Sequence, residues 1–297
     1  VAAGVTEVRG AVVGDESRYD SRRYVDVWPE RFIVQDQTGP LSALSVNDGW
    51  IAFPPNPDTR RPDEEPAPDP AAHAAQALTQ LLAARGVAVG SPARAGEAPA
   101  DDTEVAAVES PRMREVVAQM LRESDNQTAE LLTKELGLRT KGEGTTAAGV
   151  AAIQDEMAAL GLPVTDAVVA DGSGLAEAGR VTCQLVQAVL DRAGPNSPLD
   201  AALPIAGQTG TLTERFVGVP VSGRMRAKTG TLNEVTSLAG FVDTLPGARI
   251  TFSFIVNLPP GERVGEDDLV LQDELAAILV GYPQGPVLAD LGPKPLP

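Results

Sequence analysis

The sequence predicts an α+β protein in which helices pack on an antiparallel sheet. Apolar residues recur at helical spacing from about residue 70 to residue 190, and the period then changes to strict alternation between residues 224 and 257. No stretch repeats itself at a period of roughly 20–50 residues, which excludes a repeat architecture.

The elements follow in order. Val5, Val8, Val12 and Val13 around Gly10 read as strand, and Gly14-Asp15 turns the chain. A second strand is expected from Ala43 to Phe53, carrying Leu44, Val46, Trp50, Ile51 and Phe53. The prolines and charges of PPNPDTRRPDEEPAPDP, Pro54 to Pro70, cannot build a core and predict an exposed loop. Asp69 caps a helix whose first position is Pro70, whose apolar face is Ala74, Ala77, Leu78, Leu81 and Leu82, and which Gly86 stops. A short strand is expected near Val87–Val89. Ser110-Pro111 then starts a helix with Met113, Val116, Val117, Met120 and Leu121 on one face. It breaks at residues 123–127, and another helix runs from about Thr128 to Leu136, closed by Gly137. Thr145 or Thr146 opens the next, with Val150, Ile153, Met157 and Leu160 in register before Gly161. One more begins near Thr182 and presents Leu185, Val186, Val189 and Leu190.

After the change of period, Arg224–Leu232 reads as a strand. Thr236–Val242 and Arg249–Asn257 read as a hairpin about Leu245-Pro246-Gly247, with Ile250, Phe252, Phe254 and Val256 on one face. A last helix covers about Glu266–Leu279, and the tail from Tyr282 is expected to be extended.

Composition narrows the chemistry. Among 297 residues, 43% are hydrophobic and 22% charged, the balance of a folded chain, and no stretch approaches the ~20 apolar residues of a membrane span. The start VAAGVTEVRGAV lacks the basic region of a signal peptide. A net charge of −17 disfavours nucleic acid or anionic lipid as a general partner, because the whole-molecule field repels phosphate. Cys183 is the single cysteine, so no internal disulfide can form, and it is expected as a small buried hydrophobe. His73, the single histidine, is expected as a partly exposed helical residue, which leaves lysine, serine and carboxylates as the plausible reactive groups. Met113, Met120 and Met157 are expected to face the core.

Lysine is scarce. Lys134, Lys141, Lys228 and Lys294 are the only four among 24 basic residues, so arginine carries nearly all positive charge and each lysine calls for a reason. Lys228 stands in Arg-Met-Arg-Ala-Lys-Thr-Gly-Thr-Leu, a strand that sets a lysine, hydroxyls and a glycine along one edge. Alone, Lys228-Thr229-Gly230 reads as a polar edge strand protected by its charge. Alone, Ser124-Asp125-Asn126 reads as a turn joining two helices. Together, 104 positions apart, they form two thirds of the S-x-x-K, S-D-N, K-T-G set of penicillin-binding proteins and class A β-lactamases.

On these motifs the sequence resembles the D-alanyl-D-alanine carboxypeptidase/endopeptidases, the class C low-molecular-mass penicillin-binding proteins. Gly10–Asp20 (GAVVGDESRYD), Leu41–Asp48 (LSALSVND), Asp171–Leu175 (DGSGL) with Arg180-Val181-Thr182, and Leu203–Thr211 (LPIAGQTGT) fit that family in the right order. Asn233–Asn257 resembles its closing sheet, and the likeness runs from near residue 5 to near 280. A class A β-lactamase fits less well, because none of Glu130, Glu135, Glu143 and Glu156 stands in an E-x-x-L-N setting.

The resemblance implies a β-lactamase/transpeptidase-like domain over residues 104–283, preceded by part of a β-rich accessory domain over 1–103 and followed by a tail over 284–297. It implies serine-type hydrolysis of the terminal D-Ala-D-Ala bond of peptidoglycan stem peptides, with β-lactams as acylating mimics, no metal or organic cofactor, and an extracytoplasmic location. Ser124 would relay a proton to the leaving D-alanine, Asn126 would hold the substrate amide, and Lys228 would lower the proton affinity of Ser124 and attract the terminal carboxylate. Thr229 and Thr231 would bind that carboxylate, Gly230 would let the ligand approach, and Ser173 would be a further contact. One part of the pattern is missing: no serine in the sequence is followed three residues later by lysine. The expectation is a chain truncated before its accessory region and inactive alone. The alternative is an inert peptidoglycan-binding or scaffolding homologue.

Overall fold

The computed structural model describes residues 4–34, 37–51 and 65–285. In chain order these form β1 (Glu7–Val8), β2 (Val13–Gly14), α1 (Glu30–Val34), α2 (Pro70–Ala83), β3 (Ala88–Val89), β4 (Arg94–Ala95) and α3 (Met113–Glu123). Then come α4 (Asn126–Lys141), α5 (Thr146–Ala159), α6 (Cys183–Ala193), α7 (Pro198–Ala202), β5 (Met225–Thr231), β6 (Val235–Asp243), β7 (Arg249–Asn257) and α8 (Glu266–Gly281). The protein is α+β, with a three-stranded antiparallel sheet in the order β5-β6-β7.

The chain divides into two compact units, neither of them one continuous stretch. The first comprises Val1–Ser110, Asn126–Leu160 and Val168–Arg180. There β1 pairs with β3 and β2 with β4, both parallel, with α2 as the connection. Asp69 caps α2 as expected, accepting from the Ala72 N–H at 2.9 Å, an interaction worth about 1 kcal/mol. Thr145 does the same for α5.

Several expectations are corrected here. No strand forms over the described part of Ala43–Phe53: Asn47 and Asp48 take left-handed φ values of 54° and 52°, a 3-10 turn occupies Asn47–Gly49, and one bridge joins Trp50 to Pro66. Phe53, residues 54–64 of the proline-rich stretch, and the tail from residue 286 lie outside the described residues. Gly137 does not close a helix; α4 runs through it to Lys141. A Cβ at Gly137 would fall 2.6 Å from the Gly149 backbone nitrogen, and one at Gly149 would fall 2.0 Å from the Thr133 carbonyl oxygen. Both glycines mark where α4 and α5 touch backbone to backbone.

The second unit comprises Pro111–Asp125, Gly161–Ala167 and Val181–Pro297. Its sheet is covered on both faces. Met225, Ala227, Leu238, Val242 and Phe252 pack with Leu212, Phe216 and, from α8, Ala276 and Val280. On the other face Phe241 and Ala239 pack against Leu190 and Val186 of α6 and Leu199 of α7. The alternation read along β7 holds, since directly paired residues share a face. Cys183 is exposed, because as the first residue of α6 it lies at the capped end and not on the Leu185–Leu190 face. Met113, expected in the core, is 57% exposed at the first position of α3. Asp200, only 3% exposed, accepts on both carboxylate oxygens from Arg249 Nη2 at 2.6 Å and fixes α7 to β7. No helix among the described residues is long and apolar enough to cross a membrane.

Candidate active site

Ser124 terminates α3 in the left-handed conformation (φ 57°, ψ 46°), with its own N–H and that of Asp125 both turned to the Met120 carbonyl. A non-glycine residue in that region costs about 1–2 kcal/mol, and here the cost is met at a break between two helices. The side chain is half-buried, and its hydroxyl accepts a hydrogen bond from Lys228 Nζ at 2.7 Å.

Lys228 projects from β5, the edge strand of the sheet. Its Nζ also donates to the Thr229 carbonyl at 2.7 Å, and no carboxylate forms an ion pair with it among the described residues. Burial without such a partner disfavours the charged form and pushes its pKa down to about 8. The other described lysines differ: Lys134 Nζ lies 2.5 Å from Asp20, and Lys141 Nζ 2.5 Å from Asp155. These two hold structure, whereas Lys228 faces a hydroxyl.

The peptide groups of β5 alternate between β6 and the outer edge. Ala227 N–H donates outward to Pro204, and the Met225 carbonyl accepts from Ala206. By the two-residue period, Thr229 and Thr231 also direct their N–H and C=O groups outward. Among the described residues the backbone bridge to this edge is Ile205–Arg226, and none is formed from Lys228 onward. Lys228 and Gly230 share one face of the strand, Thr229 and Thr231 the other. The Lys228 ammonium nonetheless reaches the edge, since it bonds the Thr229 carbonyl.

The Thr229 hydroxyl donates to Thr211 Oγ1 at 2.9 Å, and the Thr231 hydroxyl stands 3.4 Å from Thr236 Oγ1. A Cβ at Gly230 would fall 2.6 Å from Ser237 Oγ, directly across on β6, so the bare position leaves room for that side chain. Arg224 is exposed just before β5, and Arg226 has its Nε 4.0 Å from Asp200, so part of its charge is already answered.

Asn126 and Ser173 belong to the first unit. Asn126 opens α4 and its carboxamide donates to the Gln37 carbonyl at 2.8 Å. Ser173 sits in the Asp171–Leu175 turn, where its hydroxyl donates to Asp171 at 3.4 Å and accepts from the Leu175 N–H at 3.3 Å. Asp171 organises that turn, accepting also from Gly174, Ala176 and Trp28 Nε1. Glu130, fully buried, accepts the Gly172 and Ser173 N–H groups on Oε1, and burial pushes its carboxyl up. In the sequence Glu130 stands only as a glutamate outside an E-x-x-L-N setting; in the structure it holds this turn. His73 is partly exposed on α2. Among the described residues no group of three His, Cys, Asp or Glu side chains is placed to hold a metal ion. The Thr229–Thr211 bond has no mark in the sequence, because a threonine in a turn carries no period to reveal its direction.

The arrangement holds a hydroxyl against a cation of lowered pKa beside an open strand edge. That suits proton relay to a leaving group and capture of an extended anionic peptide.

Comparison with known proteins points the same way. Residues 55–277 match the model of the D-Ala-D-Ala carboxypeptidase 3 (S13) family. The chain is 34% identical to a D-alanyl-D-alanine carboxypeptidase of Actinomadura sp. (strain R39) over 72% of this chain and 41% of that protein. It is 30% identical to carboxypeptidase DacB of Mycolicibacterium smegmatis over 94% of this chain and 59% of that one. The chain thus spans about half the length of the curated relatives it matches. In fold it is similar to penicillin binding protein 4 of Haemophilus influenzae, with a TM-score of 0.78 at 20% identity over 95% of this chain and 77% of that one.

Proposed function

Because the chain belongs to the D-Ala-D-Ala carboxypeptidase 3 (S13) family, we propose that it supplies the leaving-group and carboxylate side of a serine-type D-Ala-D-Ala carboxypeptidase site acting on peptidoglycan stem peptides. The observation that carries this reading is the Lys228 Nζ–Ser124 Oγ hydrogen bond at the open edge of β5.

A peptide ending in D-Ala-D-Ala lies antiparallel along residues 228–231, adding a strand to the sheet. Its terminal carboxylate meets the Lys228 ammonium. Ser124, polarised by Lys228, passes a proton to the leaving D-alanine nitrogen. The outward Thr231 N–H serves as one oxyanion donor, a role whose loss costs about 2.7–4 kcal/mol of barrier. β-Lactams enter as carboxylate-bearing mimics of the same peptide, and the setting is outside the cytoplasmic membrane.

The covalent step needs a nucleophilic serine, and no S-x-x-K occurs among these 297 residues. The chain alone therefore recognises the peptide without turning it over, which is also what an inert peptidoglycan-binding homologue would do. The test uses this chain with diacetyl-L-Lys-D-Ala-D-Ala and a fluorescent penicillin. Reversible binding of the peptide, lost about tenfold or more in Lys228→Ala, is expected without covalent labelling. Binding that ignores Lys228 would remove the lysine from the site. Covalent labelling would show a nucleophile outside the S-x-x-K pattern.

A further inference from the structure

Resting on that reading, we propose that Thr211 is a carboxylate-binding residue, one that makes the site select a ligand with a free terminal carboxylate over a blocked one. Thr211 is exposed, and its oxygen accepts the Thr229 hydroxyl proton at 2.9 Å. A hydroxyl that accepts still has its own proton to give. Thr229 gives its proton to Thr211, so the pair ends in a Thr211 donor. An anion at the open edge of β5 meets that donor on one side. On the other it meets the Lys228 ammonium, held 2.7 Å from the Thr229 carbonyl.

The surroundings fix Thr211 in place before any ligand arrives. It stands on the 3-10 turn Gly210–Leu212, and Leu212 is fully buried in the core beneath the sheet. Thr209 Oγ1 accepts the Ile205 N–H at 2.9 Å, and the Gly207 N–H donates to the Leu212 carbonyl at 2.9 Å. Gly210 has φ +59°, and a Cβ there would fall 2.3 Å from the Arg122 carbonyl oxygen. The turn is therefore pressed onto the last turn of α3, two residues before Ser124. The same segment covers the outer edge of β5 as far as the Ile205–Arg226 bridge, so Thr211 marks the boundary between covered and open edge. A donor held this way binds an anion without first losing rotational freedom.

Selectivity follows from charge. A hydrogen bond to a carboxylate is roughly twice as strong as one to a neutral amide, so a donor here rewards a free C-terminus more than a blocked one. The experiment compares diacetyl-L-Lys-D-Ala-D-Ala with its C-terminal amide on the whole chain, as wild type, Thr211→Val and Thr211→Ser. Thr211→Val is expected to weaken the carboxylate peptide about tenfold and the amide little, while Thr211→Ser behaves as wild type. An unchanged carboxylate affinity in Thr211→Val overturns the proposal. So does an equal loss for both peptides, or a Thr211→Ser variant as weak as Thr211→Val. Failure of the wild type to bind either peptide overturns the carboxypeptidase reading together with this inference, and so differs from a failure of Thr211 alone.

Discussion

Lys228 concentrates the chemistry of the site, and its pKa gives a pH signature with a definite sign. Its folded value, about 8, lies below the ordinary lysine value of 10.5, so between those limits the unfolded chain binds more protons than the folded one. Stability should therefore rise with pH from about 8 to about 10.5, and Lys228→Met should abolish that part of the rise. On the proposed reading, binding of a carboxylate peptide uses the ammonium and should run the other way, present below about 8 and fading above it. Urea unfolding and peptide affinity across this range check both slopes; a rise in stability that Lys228→Met leaves intact would contradict the assignment. The lysine was legible because arginine supplies almost every other positive charge. Its pairing with Ser124 was legible only from the two motifs taken together, since each tripeptide alone has an ordinary structural explanation. Thr211 was legible only as the last residue of the LPIAGQTGT stretch, not as a partner of Thr229, and the exposure of Met113 and Cys183 was not legible. Both of the latter open their helices, where apolar spacing says little about what the neighbouring chain covers.

Among the elements, caps and periods carried the most information. Asp69, Thr145 and Thr182 each accept a helix N–H as their sequence settings predict, because capping is decided within a few residues. Gly137 and the 43–53 stretch misled for the opposite reason. Glycine after an apolar run signals a stop locally, but here the lack of a side chain serves a distant partner, α5. Alternating apolar residues signalled a strand until Asn47-Asp48-Gly49 turned the backbone left-handed. The α4–α5 contact yields a test. Gly149→Ala should gain about 1 kcal/mol of helix propensity yet lose more, because its Cβ would sit 2.0 Å from the Thr133 carbonyl and the helices would have to separate. A net loss of about 1–3 kcal/mol is expected, read as a lower urea midpoint at unchanged slope. A gain would mean the two backbones are not in contact.

For the molecule as a whole, the α+β class was legible in one change of period near residue 224, and the sheet formed where alternation began. The grouping into compact units was not, because α3 and α4, separated by Ser124 and Asp125, fall in different units, a fact of long-range contact with no local mark. A net charge of −17 argues against anionic ligands in general. Screening confines that repulsion to about a Debye length, ~8 Å at physiological salt, so Lys228 at the edge decides the local field. The proposed docking of a D-Ala-D-Ala peptide along the edge of β5 beside Ser124 and Lys228 is open to direct mapping. Amide chemical-shift mapping of the whole chain, titrated with diacetyl-L-Lys-D-Ala-D-Ala, tests it most directly. The largest shifts are expected at Ser124, Thr229 and Thr231 and should be absent in Lys228→Ala; saturable shifts that leave those three amides unmoved would rule the docking out.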